Sequence, residues 1–435
     1  MINQAVGNFL FKAVGLCFIL NALQAYAVGP VPLTWFANAL IVLVFSIFAF
    51  NSKFHMVPGL RIFAIFFVWL VLNYFSMTLF KGIPGNLPGK ATVGYGSYVG
   101  LRFLTFLTFA ATVTLIFWLQ EKGYSLRIVD FTIQLAVWVG IYSIYVYLAQ
   151  LNGWPEFPRT RIGTSGEEQA VSFSYAFHRA MGPFREPSHF AEWLLLPLFL
   201  SMWRYERILN WRSMLLSACF LLTGSVSGIS AFLGGLVFAF LFNMRRDLQY
   251  WLQPFKIASA IAVALIAFSL LVGGGKDSGK PVSLVEVLWT RVEPILFDKG
   301  LKSSNRDYVY IYAEKNPFTF FGVGLGNANI AFSQDTGATA TSSFLSLYLY
   351  VLYSCGLIGL LILAIFLLFP VVYFISSQKR FGDHKNIYIL AAYIAWLIDF
   401  SVHSEELSIH FGLIYSILVG LVYFGTDETK NSYHL

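Results

Sequence analysis

The sequence predicts an all-α polytopic integral membrane protein with about twelve transmembrane helices, read from windows of roughly 19 residues, and two large external loops. Three observations carry this. Hydrophobic side chains make up 57% of the 435 residues and charged ones only 12%, where a soluble domain carries about 25%. Mean hydropathy is +0.67. Apolar runs of roughly 17–25 residues, long enough to cross a hydrocarbon core, recur along the whole chain. The reading is one integral membrane domain over 1–435, with no room for a separate soluble domain.

The spans fall near 8–28, 33–50, 60–80, 98–120, 126–150, 189–203, 211–224, 228–243, 256–273, 343–376, 386–402 and 408–424. The run from Ser343 to Ser376 is too long for one upright helix, and Gly356 and Gly359 point to a tilted or two-part element. Near the start, "LCFILNALQAYAVGP" ends in an A-x-A site, Ala25-Tyr26-Ala27, as a signal peptide would. Lys12 lies late for the basic segment of such a peptide, so the run reads as a span. Cys17, Cys219 and Cys355 all lie in apolar runs, where a free thiol behaves as a small hydrophobe. Their spacing fits neither a metal site nor a disulfide framework.

Basic residues in short loops set the orientation. With both termini cytoplasmic, the inside loops hold Lys53, Arg61, Lys122, Arg127, Arg204, Arg207, Arg212, Arg245, Arg246, Lys256, Lys379, Arg380 and Lys385. The short outside connections near 29–32, 224–228 and 402–408 hold no Lys or Arg. Two long outside loops, 151–190 and 274–342, are exempt from the rule and carry eleven basic residues. Connections of about 40 and 70 residues point to function or disorder, and their content of Trp, Tyr and Phe argues against disorder. A folded, basic, aromatic outer surface suits an anionic ligand with stackable faces, such as a phosphate or an acidic sugar. Nothing in the pattern points to a nucleic acid.

"GPFREPSHFAEWLLLPLFL" (Gly182–Leu200) puts Arg185, Glu186 and His189 at the outer edge of a span. Pro187 suits the first position of a helix, which leaves Glu186 at the N-cap with His189 and Glu192 in the first turns. Exposed amides and the helix dipole then face the outer surface. A carboxylate at a helix start is also favoured by the dipole alone, with Arg185 as its simple partner. Ionisable groups near membrane depth are nonetheless costly and default to functional candidates.

"FREPSHFAEWLLLP", then "LLTGSVSGISAFLGGL" (Leu221–Leu236), "NRDYVYIYAEKNPFTFFGVGLGN" (Asn305–Asn327) and "SSFLSLYLYVLYSCGLIGLL" (Ser342–Leu361) together resemble the O-antigen polymerase and ligase superfamily. The likeness lies in the order of degenerate motifs around two outside loops, and is strongest to a Wzy-type bacterial polysaccharide polymerase. The ligase branch carries a His at the outer start of the late helix, where this chain reads Thr341-Ser342-Ser343.

The resemblance implies a GT-C-like, metal-independent, inverting glycosyltransferase without a cofactor, in the bacterial inner membrane with a periplasmic site. Its substrates would be undecaprenyl-diphosphate-linked oligosaccharides, and its partners the bilayer, a chain-length regulator and a flippase. Fixed guanidinium groups would stabilise the departing diphosphate, with Arg185, Arg291 and Arg306 as candidates. Glu186, then His189, are the candidate bases. Tyr308 and Tyr312, four residues apart on one helical face, would stack on sugar or anchor at the interface, and Asn327 would bind substrate. A ligase acting on lipid A-core is the nearest alternative, and a polytopic flippase or transporter the alternative from another class.

Three further groups remain. "GVGLGN" (Gly322–Asn327) lacks the βαβ context of a nucleotide loop; it is a tight turn after Pro317 or a close backbone approach to substrate. "TGSVSG" (Thr223–Gly228) is a hairpin of small residues between helices. Asp399, His403, Glu405 and Glu406 form a second polar group near the last outside turn, and Arg102 lies at the outer end of its span.

Overall fold

The structure, a computed structural model, describes residues 2–51, 56–82, 94–161, 179–205, 210–243, 307–337, 343–377, 386–403 and 406–424. The expected span 256–273, together with Arg291, Arg306 and Glu405, lies outside them.

The described chain is mostly helical. It begins with α1 (Ile2–Ala22), a two-stranded hairpin β1 (Ala27–Val28) and β2 (Val31–Pro32), α2 (Leu33–Asn51), α3 (Leu60–Lys81), α4 (Tyr95–Glu121) and α5 (Ser125–Asn152). It continues with α6 (Pro187–Tyr205), α7 (Trp211–Leu222), α8 (Val226–Asn243), α9 (Asp307–Lys315), α10 (Asn327–Asp335), α11 (Leu347–Ser377), α12 (Ile387–Asp399) and α13 (Ile409–Phe424). Among the described residues, α1 to α5 and α11 are long and apolar enough to cross a membrane. α7, α8, α12 and α13 are apolar but shorter.

Helix starts and stops follow the local chemistry. Pro187 opens α6, where a missing N–H costs nothing. Asn210 caps α7 by accepting from the Arg212 and Ser213 amides. The expected span 8–28 is corrected at its end: the helix stops at Ala22, and the Gly29-Pro30 turn joins two antiparallel strands with Ala27 opposite Pro32. Two-residue strands bury no periodic pattern, so hydropathy windows carry the helix across them.

The chain forms two compact units. The first comprises Met1–Ile41, Lys122–Leu296 and Asp383–Trp396; the second, Val42–Glu121, Phe297–Gly382 and Leu397–Leu435. In the first unit α5, α6 and α7 pack mutually, with α1 on α5 and α8 on α6. Trp203 donates to Asn386 Oδ1 at 2.9 Å, and a Cβ on Gly235 would strike the Ala391 carbonyl, so α12 sits backbone-close to α8. Arg204 makes a two-pronged pair with Asp130, 2.8 and 3.3 Å.

In the second unit α13 packs along α4 and α11 along α3. Aromatic rings fill that core: Phe109 stacks on Phe411 with centroids 5.7 Å apart, and Phe366 on Tyr415 at 5.0 Å. α11 breaks at Gly356, whose φ of 72° and ψ of −175° only glycine adopts readily. The loop before α10 fills the break. Leu357 and Ile358 amides donate to the Thr319 and Phe320 carbonyls, and Val323 and Gly324 amides to those of Tyr353 and Ser354.

Candidate functional site

In the first unit the site is built around the start of α6. The Phe190 amide donates to the Glu186 carbonyl at 3.2 Å, which puts Glu186 at the N-cap. Its side chain is exposed and accepts from Ser188 Oγ at 3.3 Å. Arg185 is half-buried just outside. His189 turns Nδ1 toward Glu192 Oε2 at 3.7 Å, with side chains 35% and 12% exposed. The turn is held from behind: Phe184 stacks on Phe190 at 5.0 Å and contacts Trp193 at 5.5 Å, while Pro187 and Ala191 are buried. The result is a closely packed platform with the Glu186 side chain exposed and a His–carboxylate pair one turn further along the helix. Sequence reasoning placed Glu192 in the first turns of the helix but gave it no role in the site. Its place three residues after His189 was readable, but its burial was not.

Two of the basic residues of 151–190 are fasteners. Arg161 donates through Nη1 to the Gln24 carbonyl at 3.1 Å, and its amide to that of Ala25. Arg179, buried, donates through Nε to the Thr223 carbonyl at 2.5 Å, beside the Ala180 amide on Leu222. Arg159, also buried, lies 3.9 Å from Glu156. The "TGSVSG" hydroxyls serve their own turn, with Ser225 Oγ accepting from Gly228 N at 3.3 Å and lying 3.1 Å from Ser227 Oγ. A Cβ on Gly228 would press on Ala191, so α8 abuts the platform.

In the second unit, Tyr308 falls within α9. Tyr312 is buried, its ring packed among Phe332 (4.6 Å), Tyr353 (5.4 Å) and Phe344 (5.8 Å). Burial, with Asp335 and Tyr353 nearby, pushes its phenol up from 10.0 to about 12. Asn327, also buried, accepts from Tyr95 Oη at 2.7 Å and donates through Nδ2 to Val323 O at 3.0 Å. It thus clamps the glycine loop to the start of α4. The loop is more than a tight turn, since it completes a broken helix.

Two polar pairs lie at the turn between α12 and α13. His403 Nδ1 lies 3.6 Å from Asp399 Oδ2, both side chains buried. Arg102 pairs with Glu406 at 2.5 Å, and its guanidinium lies over the rings of Tyr98 and Tyr350. Of the expected site residues, the structure brings Arg185, Glu186 and His189 together in the first unit. Tyr308, Tyr312 and Asn327 belong to the second. Comparison with known proteins finds no family model and no curated protein that matches the chain.

Proposed function

We propose that the protein is a polysaccharide polymerase. It would join undecaprenyl-diphosphate-linked oligosaccharide repeat units into O antigen or a related surface polymer by inverting, metal-independent glycosyl transfer. On this reading it has about twelve spans in a GT-C-like arrangement, lies in the bacterial inner membrane with both termini cytoplasmic, and works on the periplasmic face beside a flippase and a chain-length regulator. The observation that supports it most is the cluster at the start of α6. Arg185, Glu186 and His189 share one N-terminal turn, backed by buried aromatic rings and by Glu192.

In this reading an acceptor hydroxyl attacks the anomeric carbon of the donor and undecaprenyl diphosphate departs. A half-buried Arg185 stabilises the diphosphate charge, since a guanidinium fork matches phosphate oxygens in pairs. Glu186, exposed at the N-cap, takes the hydroxyl proton, a contribution typically of about 10²–10⁴-fold. His189 is the second candidate for that role. Its Nδ1 lies 3.7 Å from Glu192 Oε2. Arg291 and Arg306 supply further positive charge from the second outside loop.

The test is reconstitution of purified protein with a synthetic undecaprenyl-diphosphate repeat unit, without added metal, with products resolved on a gel. Wild type should give a ladder that collapses in Glu186→Ala and Arg185→Ala while both variants stay folded. A folded wild type that leaves the cognate repeat unit unextended would sink the proposal. Transport is the second reading, favoured by the buried Asp399–His403 pair. It predicts translocation of the lipid-linked unit with no change in its length.

A further inference from the structure

We propose that Pro317–Gly324, a piece of the second outside loop, is a re-entrant wedge that reaches the acyl-chain layer of the bilayer, where Phe318, Phe320 and Phe321 contact lipid. The inference does not rest on the enzymatic reading. It starts from depth along α3, whose 22 residues at 1.5 Å each span roughly 33 Å, close to the ~30 Å hydrocarbon thickness. Trp69 and Asn73 lie roughly 13 and 20 Å from the Leu60 end, near the middle of that helix. Trp69 Nε1 donates to the Cys355 carbonyl at 3.1 Å, and Asn73 Nδ2 to the Phe321 carbonyl.

α11 gives the same depth independently. A Cβ on Gly59, just before α3, would meet the Phe369 ring, so Phe369 is level with the start of α3. From Leu357 to Phe369 is roughly 18 Å of helix. The break at Gly356, and the loop seated in it, therefore lie near mid-depth.

The backbone of the loop is dressed for such a place. Irregular chain at membrane depth must have its polar groups satisfied by protein or by a water-filled cavity. Here the Thr319, Phe320 and Phe321 carbonyls accept from Leu357, Ile358 and Asn73, and the Gly322, Val323 and Gly324 amides donate to Thr319 Oγ1, Tyr353 and Ser354. The fit is close from both sides. A Cβ on Gly356 would strike the Phe320 carbonyl, and one on Gly322 the Ser354 carbonyl. Outward, Phe318, Phe320 and Phe321 are 54%, 66% and 51% exposed, while Leu72 and Phe75 of α3 are exposed at the same level. Three phenyl rings in four residues are costly in water and favourable among acyl chains.

The test places a nitroxide on full-length protein in phospholipid nanodiscs at Phe320→Cys, with Leu72→Cys and Asp335→Cys as lipid and aqueous references. The three native thiols are buried, and unsubstituted protein taken through the labelling gives the blank. The 320 label should match the 72 label, relaxed by dissolved oxygen and shielded from a water-soluble nickel chelate. Relaxation by the chelate to the level seen at 335 would overturn the wedge and make the loop a water-facing turn or the wall of an aqueous cavity. If Phe320→Cys does not fold, Phe318→Cys carries the same comparison.

Discussion

Arg179 and Tyr312 show how a side chain's type can be read without its use. A count of positive charge treats every arginine of 151–190 as a potential anion ligand, yet Arg161 and Arg179 donate to backbone carbonyls, and that of Thr223, which Arg179 serves, is buried. The charge was legible in the sequence; the partner was not, because Gln24 and Thr223 are brought near by folding. Arg179→Ala should lower stability by about 1–3 kcal/mol, the cost of an orphaned buried carbonyl, measured as a fall in thermal midpoint in detergent. Tyr312 makes a sharper prediction. Its folded pKa of about 12 exceeds its ordinary value of 10.0, so between those pH values the native state keeps a proton that the unfolded chain has lost. Stability from this group is whole below pH 10.0 and declines as pH rises toward about 12. Tyr312→Phe should flatten that alkaline decline, read from unfolding midpoints across the interval. An unchanged slope would place the ring in a wetter setting than the Phe332–Phe344–Tyr353 cluster provides.

The elements divide by how far their cause lies in sequence. α6 was legible because Pro187 acts locally, and the break in α11 because a run from Ser343 to Ser376 holding Gly356 cannot be one upright span. The β-hairpin after α1 was not, since two-residue strands have no period to detect. The role of "GVGLGN" was also hidden: its three glycines announce a turn, but that this turn seats in the break of α11 is visible only in the fold. Gly356→Ala should destabilise by about 1–3 kcal/mol, because a side chain there is strained by φ and blocked by the Phe320 carbonyl. Gly359→Ala is the comparison. Its helical position carries no positive φ, so any loss there reports contact with Trp69 and Cys355 rather than backbone strain. Equal effects at the two positions would argue that the break is not held by glycine.

On the scale of the whole molecule, composition alone gave the membrane class, and the apolar helices agree with it. Orientation came from loop charges and is open to direct check. Fluorescent-protein fusion after Leu435 should light up in the cytoplasm, and alkaline phosphatase joined after Trp154 should be active outside. The opposite pattern would invert the proposed topology and move the α6 platform to the cytoplasmic face. Each unit is assembled from three separate stretches of chain, so neither is complete until the last helices arrive. Trp203 waits for Asn386, and Gly235 for Ala391. At ribosomal speeds of about 5–20 residues per second, Trp203 stands without its partner for roughly 10–40 seconds. During that interval the faces of α6 and α8 that α12 will cover are open to lipid, to the insertion machinery and to proteases. Biogenesis should therefore be most vulnerable at its end, and a ribosome stalled before Ile387 should yield a chain that is inserted yet rapidly degraded.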